Sequence, residues 1–265
     1  MAGGLEQCRM CEGPCTDIAH GSVLEHEATY TRCQTCGSVQ IDHPSWLDQA
    51  YSSAIAIQDV GLVTRCLSAS ELIATILTLE GQVGATGLDW AGGTGLLTRL
   101  MRDLGFPTVH YDPMAQNVHA LAFEVSEPQP VTFVTAVECI EHLLHPRQDL
   151  APFVAAADYV FISTELVPEP APLPDDWWYY SPESGQHITF ASMRGLVAVA
   201  TSWGYPYVTS LHNMHVLSRN PLRARTMLTV RSRVVRTLAR EYSLKLVLRG
   251  RSLLLSDFDG IVNSD

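Results

Sequence analysis

Three observations predict an α/β fold with a doubly wound parallel sheet for this 265-residue chain. Strand-length apolar runs alternate with helix-period segments between residues 86 and 163. A glycine-rich turn joins the first of those strands to the first of those helices. Two Cys-x-x-Cys pairs are confined to the first 45 residues, ahead of the alternation. Together they predict a Rossmann-like sheet of seven strands with a small metal-binding ribbon in front of it.

In order, residues 1–45 form the ribbon. Cys8-x-x-Cys11 and Cys33-x-x-Cys36 are separated by 21 residues, and each pair can grip one side of a tetrahedral Zn²⁺. Gly37 suits the tight turn of the second knuckle, and Tyr30–Cys33 reads as a strand leading into it. Four thiolates close the coordination sphere, so the zinc is structural. Cys15, His20 and His26 are spare candidates that could replace a ligand, with Cys15 reading as a bystander thiol. Residues 46–218 form the main α/β domain. It opens with a helix over Trp46–Ala56 and another over Ser70–Leu79, capped by Ser68 or Ser70; Tyr51 reads as a core or surface tyrosine, its alternative role being to line a ligand mouth. The alternation follows: strand 86–90, helix 95–104, strand 107–112, helix 114–123, strand 130–137, helix 146–155, strand 157–163. A helix over Ser192–Thr201 and strands at 206–211 and 214–218 complete the sheet. Right-handed crossovers bring the strand C-termini to one edge, where ligands bind. Residues 219–265 are a basic helical extension: an amphipathic helix over Leu222–Tyr242, then a strand at Ser252–Leu255.

The turn is Leu88-Asp89-Trp90-Ala91-Gly92-Gly93-Thr94-Gly95. Gly93 and Gly95 let a ligand approach the backbone, and the helix that follows offers free N–H groups. A dinucleotide fingerprint needs a third glycine where Thr98 stands. The carboxylate of Asp89 would repel a pyrophosphate and suits an ammonium group. Asp112, 23 positions later, suits a ribose diol at the tip of the next strand. Asp89, the turn and Asp112 resemble motifs I and II of the class I S-adenosylmethionine (SAM) methyltransferases, with Ala91 in place of that family's first glycine. The resemblance implies a cofactor-binding set of Asp89, Ala91, Gly93, Gly95, Asp112, Pro113 and Glu138.

Val137-Glu138-Cys139-Ile140-Glu141-His142, followed by Pro146, resembles motif IV of the same enzymes. Residues there lie beside the methyl donor, and in related sugar C-methyltransferases the histidine is proposed as a base. Two roles are open to Glu141 and His142: proton removal, or capping and pinning the loop. Beyond a proline-rich stretch, Trp177-Trp178-Tyr179-Tyr180 reads as a lid or stacking wall for the substrate, with Gln186 and His187 pointing back to the cofactor. This block resembles small-molecule and sugar methyltransferases. His187 is a second candidate base; its alternative role is a loop histidine bonded to a carbonyl.

Composition bounds the partners. The net charge is −11, yet residues 211–265 carry ten Lys/Arg and four acids, leaving the body strongly acidic and disfavouring nucleic acid. No apolar run of membrane-spanning length and no signal-peptide pattern stand out, so a cytoplasmic protein without a membrane partner is expected. The basic extension offers a solvated face, a homodimer contact or a site for an anionic substrate group. The sequence thus predicts a SAM-dependent methyltransferase acting on a sugar, nucleotide-sugar or secondary-metabolite acceptor by O- or C-methylation. The rivals are a zinc-ribbon RNA base methyltransferase and a non-catalytic SAM-fold interaction module.

Overall fold

The computed structural model describes residues 7–52, 59–232 and 251–263. Its strands form two sheets. In the first, β1 (Cys15–Val23), β2 (His26–Cys33) and β3 (Val39–Asp42) are antiparallel neighbours, and the two-residue strand β8 (Thr189–Phe190) pairs with the free edge of β3. The second sheet has the order β5 (Thr108–Tyr111), β4 (Gly87–Trp90), β6 (Phe133–Val137), β7 (Tyr159–Ser163), β10 (Met214–Ser218), β9 (Tyr207–Leu211). β4 runs parallel to both β5 and β6, and Asp89 stands in register with His110 and Thr135. All four residues of β4 are buried, as expected for a strand covered on both faces. Gly87 leaves room for the Phe133 ring, which would lie 2.1 Å from a Cβ placed there. Among the described residues this sheet has six strands, where the sequence predicted seven.

Several helices start or end elsewhere than the pattern implied. α1 is the short helix Leu47–Ala50; residues 53–56 of the expected helix lie outside the described residues. α2 runs from Leu62 to Glu80 and so begins well before Ser70. The Ser70 hydroxyl donates to the Leu67 carbonyl within the helix instead of capping it. At 19 residues and mean hydropathy 1.5, α2 is long and apolar enough to cross a membrane by length and composition alone. The expectation that no segment reaches that length is therefore corrected. The helix buries Ile73, Ile76 and Leu77 in the protein, and its Glu80 carboxylate caps the chain at Arg223 and Thr226. α3 (Leu96–Asp103) matches its prediction.

The predicted helix at 114–123 does not form; a single 3-10 turn, Leu121–Phe123, stands there. Asn117 is the reason. Its Oδ1 accepts from the Ala120 N–H at 2.9 Å, and the Val118 and His119 N–H groups both donate to the Thr94 carbonyl at 3.0 Å. The backbone donors a helix would use are thus spent on the glycine turn. α4 (Pro146–Val154) and α5 (Met193–Ser202) follow the sequence, the latter capped by Ser192 Oγ accepting from Gly195 N. α6 covers Ala224–Arg231; residues 233–242 of its predicted extent lie outside the described residues. The predicted strand at Ser252–Leu255 is instead the approach to a helix, α7 (Leu254–Val262).

By contacts the chain divides into two compact units: residues 1–58, 138–155 and 162–217, and residues 59–137, 156–161 and 218–265. The core of the first gathers Val23, Tyr30, Ile41, Trp46, Tyr179, Tyr180 and Phe190. In the second, Phe106, Phe133 and Phe161 stack edge to face at 6.2 Å.

Candidate active site

In the second unit, β4 ends in a turn whose backbone is left-handed at Ala91 (φ 54°), Gly93 (58°) and Gly95 (80°). Gly95 is forced: a Cβ there would lie 2.3 Å from Asn117 Oδ1. Around Gly93 nothing would come within 4 Å of a Cβ, so the backbone is open to a ligand. Asp112 ties this turn to the end of β5. Its Oδ2 accepts from Gly93 N and its Oδ1 from Met114 N and Ala115 N, each at 2.8 Å. Pro113 is exposed between these contacts.

Asp89 corrects an expectation. It is buried, its Oδ1 accepts from the Thr135 hydroxyl at 2.7 Å and its Oδ2 from Thr98 at 2.9 Å. Burial raises its carboxyl above the ordinary range. The structure therefore shows Asp89 as the pin joining β4, β6 and α3 beneath the turn, rather than as a carboxylate presented to an ammonium group. Asn117, which the sequence reading missed, is buried, and its Nδ2 has no hydrogen-bond partner among the described residues. A buried amide donor without an acceptor beside an open glycine turn fits a polar ligand such as the SAM carboxylate or ribose. No spacing rule marks a loop asparagine, so it left no signal.

In the first unit, three distant stretches are stapled together. The Ile188 N–H donates to the Glu141 carbonyl at 2.8 Å and Thr189 Oγ1 to the Leu143 carbonyl at 2.8 Å. Gln186 Nε2 donates to the Ala50 carbonyl and Trp46 Nε1 to the Gly185 carbonyl, both at 2.9 Å. Held this way, the His142 and His187 rings meet edge to face at 4.9 Å, and ligating atoms of Glu141, His142 and His187 lie within 4.8 Å of one another. The Tyr51 hydroxyl lies 3.1 Å from His142 Nδ1, so Tyr51 belongs to the cluster rather than to ordinary packing.

His187 Nδ1 lies 2.7 Å from the Tyr179 carbonyl, which only accepts. The neutral ring therefore carries its proton on Nδ1 and its lone pair on Nε2. Glu141 is fully buried; its Oε1 accepts from Tyr179 OH at 2.7 Å and its Oε2 has no hydrogen-bond partner among the described residues. Burial, with the nearby Glu138 charge, pushes its carboxyl up to about 8. Glu138 has φ 49°, and its Oε1 accepts from the Ser163 hydroxyl.

The aromatic block departs from the predicted wall. Tyr179 and Tyr180 are core, Trp177 packs on Tyr180 at 5.0 Å between ring centres, and Trp178 alone is open, at 75% exposure. Trp177 is extended and the three aromatics after it form a 3-10 turn (Trp178–Tyr180), which sends neighbouring rings in different directions. Gln186 is buried on the Ala50 carbonyl rather than directed at a ligand.

In the ribbon, Cys8 and Cys36 have sulfurs 3.6 Å apart, Cys11 and Cys33 3.4 Å, and all four lie within 4.8 Å of one another. A tetrahedron of Zn–S bonds of about 2.3 Å needs sulfur separations of roughly 3.8 Å, so the set fits. As bare thiols, Cys11 is pushed up to about 11 by burial, and Cys36 is pushed up to about 12 by the Cys8 sulfur. Gly37 adopts the left-handed φ of 82° that the knuckle turn requires.

Comparison with known proteins supplies the family. The model of a methyltransferase domain family matches residues 65–210, more than half of the chain. No curated protein matches. Among solved structures, the SAH-bound methyltransferase of calicheamicin biosynthesis is similar at 14% identity and TM-score 0.39, over 58% of this chain and 55% of its own. The O-methyltransferase of neocarzinostatin biosynthesis, complexed with SAM and 2-hydroxy-5-methyl naphthoic acid, is similar at 13% and 0.39, over 65% and 60%. Human N-acetylserotonin methyltransferase with SAM is similar at 10% and 0.39, over 66% of each chain. The chain thus spans less than two thirds of these three relatives. With the family model seated on the glycine turn and its carboxylates, the chain belongs to the methyltransferase domain family.

Proposed function

We propose that the enzyme methylates a hydroxyl or an acidic carbon of a sugar, nucleotide-sugar or secondary-metabolite acceptor, with a histidine of the His142–His187 pair taking the acceptor's proton. The observation that carries this reading is the fixed tautomer of His187: its Nδ1–H is committed to the Tyr179 carbonyl, so Nε2 is the basic atom. Tyr51 orients His142 beside it. Glu141, with its carboxyl raised to about 8, is mostly neutral at pH 7 and does not compete as the base.

SAM, when bound, supplies an electrophilic methyl group on a sulfonium. The turn from Ala91 to Gly95, Asp112 and the Asn117 amide would hold it, and Asp89 acts through Thr98 and Thr135 by keeping the turn in shape. Transfer needs the acceptor aligned at about 3–3.5 Å. In the ribbon, Cys8, Cys11, Cys33 and Cys36 would hold a Zn²⁺ that fixes the fold and takes no part in transfer.

Calorimetry with SAM, followed by S-adenosylhomocysteine release across a panel of sugar and phenolic acceptors, tests the reading. Absence of SAM binding defeats it. SAM binding with histidine variants as active as the parent defeats the assigned base.

A further inference from the structure

Helix α7 is built inside out. Its nine residues bury one side chain, Asp257, which pairs with Arg102 (Nε 2.9 Å, Nη2 2.5 Å) and with Arg99 at 2.9 Å. Its apolar residues face outward: Leu254, Leu255, Phe258, Ile261 and Val262 are 50–73% exposed. At about 100° per residue these five fall within an arc of roughly 120°, a continuous stripe. The ion pairs hold the helix by its polar side, and its apolar stripe stays half-exposed or more.

The chain leading into α7 carries the opposite feature. Residues 219–251 contain ten Lys/Arg and a single acid, Glu241. Among the described ones, Arg225 and Arg231 are exposed on α6 on either side of Leu228, itself 69% exposed, and Arg251 is exposed just ahead of α7. Apolar side chains beside a strong positive charge are what an interfacial anchor needs.

We propose that the described C-terminal helices dock on an anionic lipid bilayer, with the α7 stripe entering the headgroup boundary and Arg225, Arg231 and Arg251 meeting lipid phosphates. A second copy of the chain is a poorer occupant. It would bring an equal positive charge, and a helix about 13 Å long offers far less than the ~800 Å² per partner that a stable dimer buries. A nucleic acid would satisfy the arginines and leave the stripe in water. Asp259, the one exposed carboxylate among the described residues of α7, lies outside the apolar arc. The inference is independent of the acceptor assigned above.

The test is co-flotation of the full chain with vesicles of phosphatidylglycerol and phosphatidylcholine, against vesicles of phosphatidylcholine alone. The expected result is binding to the anionic vesicles only, weakened at least tenfold by 0.5 M salt as an order-of-magnitude expectation. Replacing the exposed pair (Leu255→Ser with Phe258→Ser) should lower binding by roughly tenfold or more, with thermal stability and SAM affinity unchanged. Arg225→Glu with Arg231→Glu should abolish the preference for anionic lipid. The proposal is overturned by equal binding of the serine variant, by no binding to anionic vesicles, by a dimer that the serine variant dissociates, or by salt-sensitive RNA retention without vesicle binding.

Discussion

The glycine turn after β4 and the histidine cluster around Ile140–His142 are built on opposite principles. The turn is local. Asp89, Ala91, Gly93, Gly95, Asp112 and Asn117 lie within 29 positions of one another, and their geometry is imposed by backbone conformation and two short strands. The cluster is assembled from stretches around residues 51, 142 and 187, held by side chain to backbone hydrogen bonds and a shared aromatic core. A local site tolerates little change in its backbone and much around it. An assembled site depends on staples that stand some distance from the chemistry.

The strongest way to test that division is His187→Asn. Loss of a positioned base should lower kcat by about 10²–10⁴-fold, while SAM affinity is expected to stay unchanged by calorimetry. A matching loss of SAM affinity would show that the two sites are not separate. Next in size is Gly95→Val. A side chain at φ 80° that meets Asn117 should cost about 2–4 kcal/mol from left-handed strain and overpacking. SAM affinity should fall with it, read by denaturant unfolding and by titration. Unchanged unfolding would mean that the turn is less constrained than its geometry implies.

The same contrast explains what the sequence revealed. The turn, Asp112 and the two Cys-x-x-Cys pairs were visible because short-range spacing encodes them. The loop at 114–123 was not: its helical composition is overridden by one side chain, Asn117, and by the Thr94 carbonyl. Asp89 stands where the spacing puts it, but its carboxylate is claimed by two threonine hydroxyls from β6 and α3, contacts that no short-range pattern encodes. Tyr51 reaching His142, and Tyr179 serving as core while its carbonyl sets the His187 tautomer, are contacts across about 90 and 8 positions that no periodicity encodes.

Glu141→Gln sharpens the comparison through pH. Burial raises this carboxyl from 4.5 to about 8, so between those values the folded protein keeps a proton that the unfolded chain has released. The group's contribution is whole below pH 4.5 and is lost as pH rises through about 8. At roughly 1.4 kcal/mol per pH unit at most, the parent should lose on the order of a few kcal/mol between pH 5 and pH 8 from this group. The glutamine variant should lack that loss. Denaturation midpoints of both proteins at the two pH values decide it, and parallel pH profiles would show that Glu141 ionises as an ordinary carboxylate.

The smallest effect concerns the position where this chain departs from its family's pattern. Ala91 stands where the family has glycine, and it adopts φ 54°, a region in which a Cβ crowds the following carbonyl. Ala91→Gly should remove that strain and stabilise the fold by about 1 kcal/mol, less the extra freedom glycine gives the unfolded chain. The outcome bears on the turn alone: the Glu141 pH profile and His187-dependent turnover should not move. If Ala91→Gly instead weakens SAM binding while raising the melting temperature, the alanine methyl is part of the ligand cradle. The strain at Ala91 would then be retained for contact with the cofactor, in keeping with strained backbone collecting at binding sites.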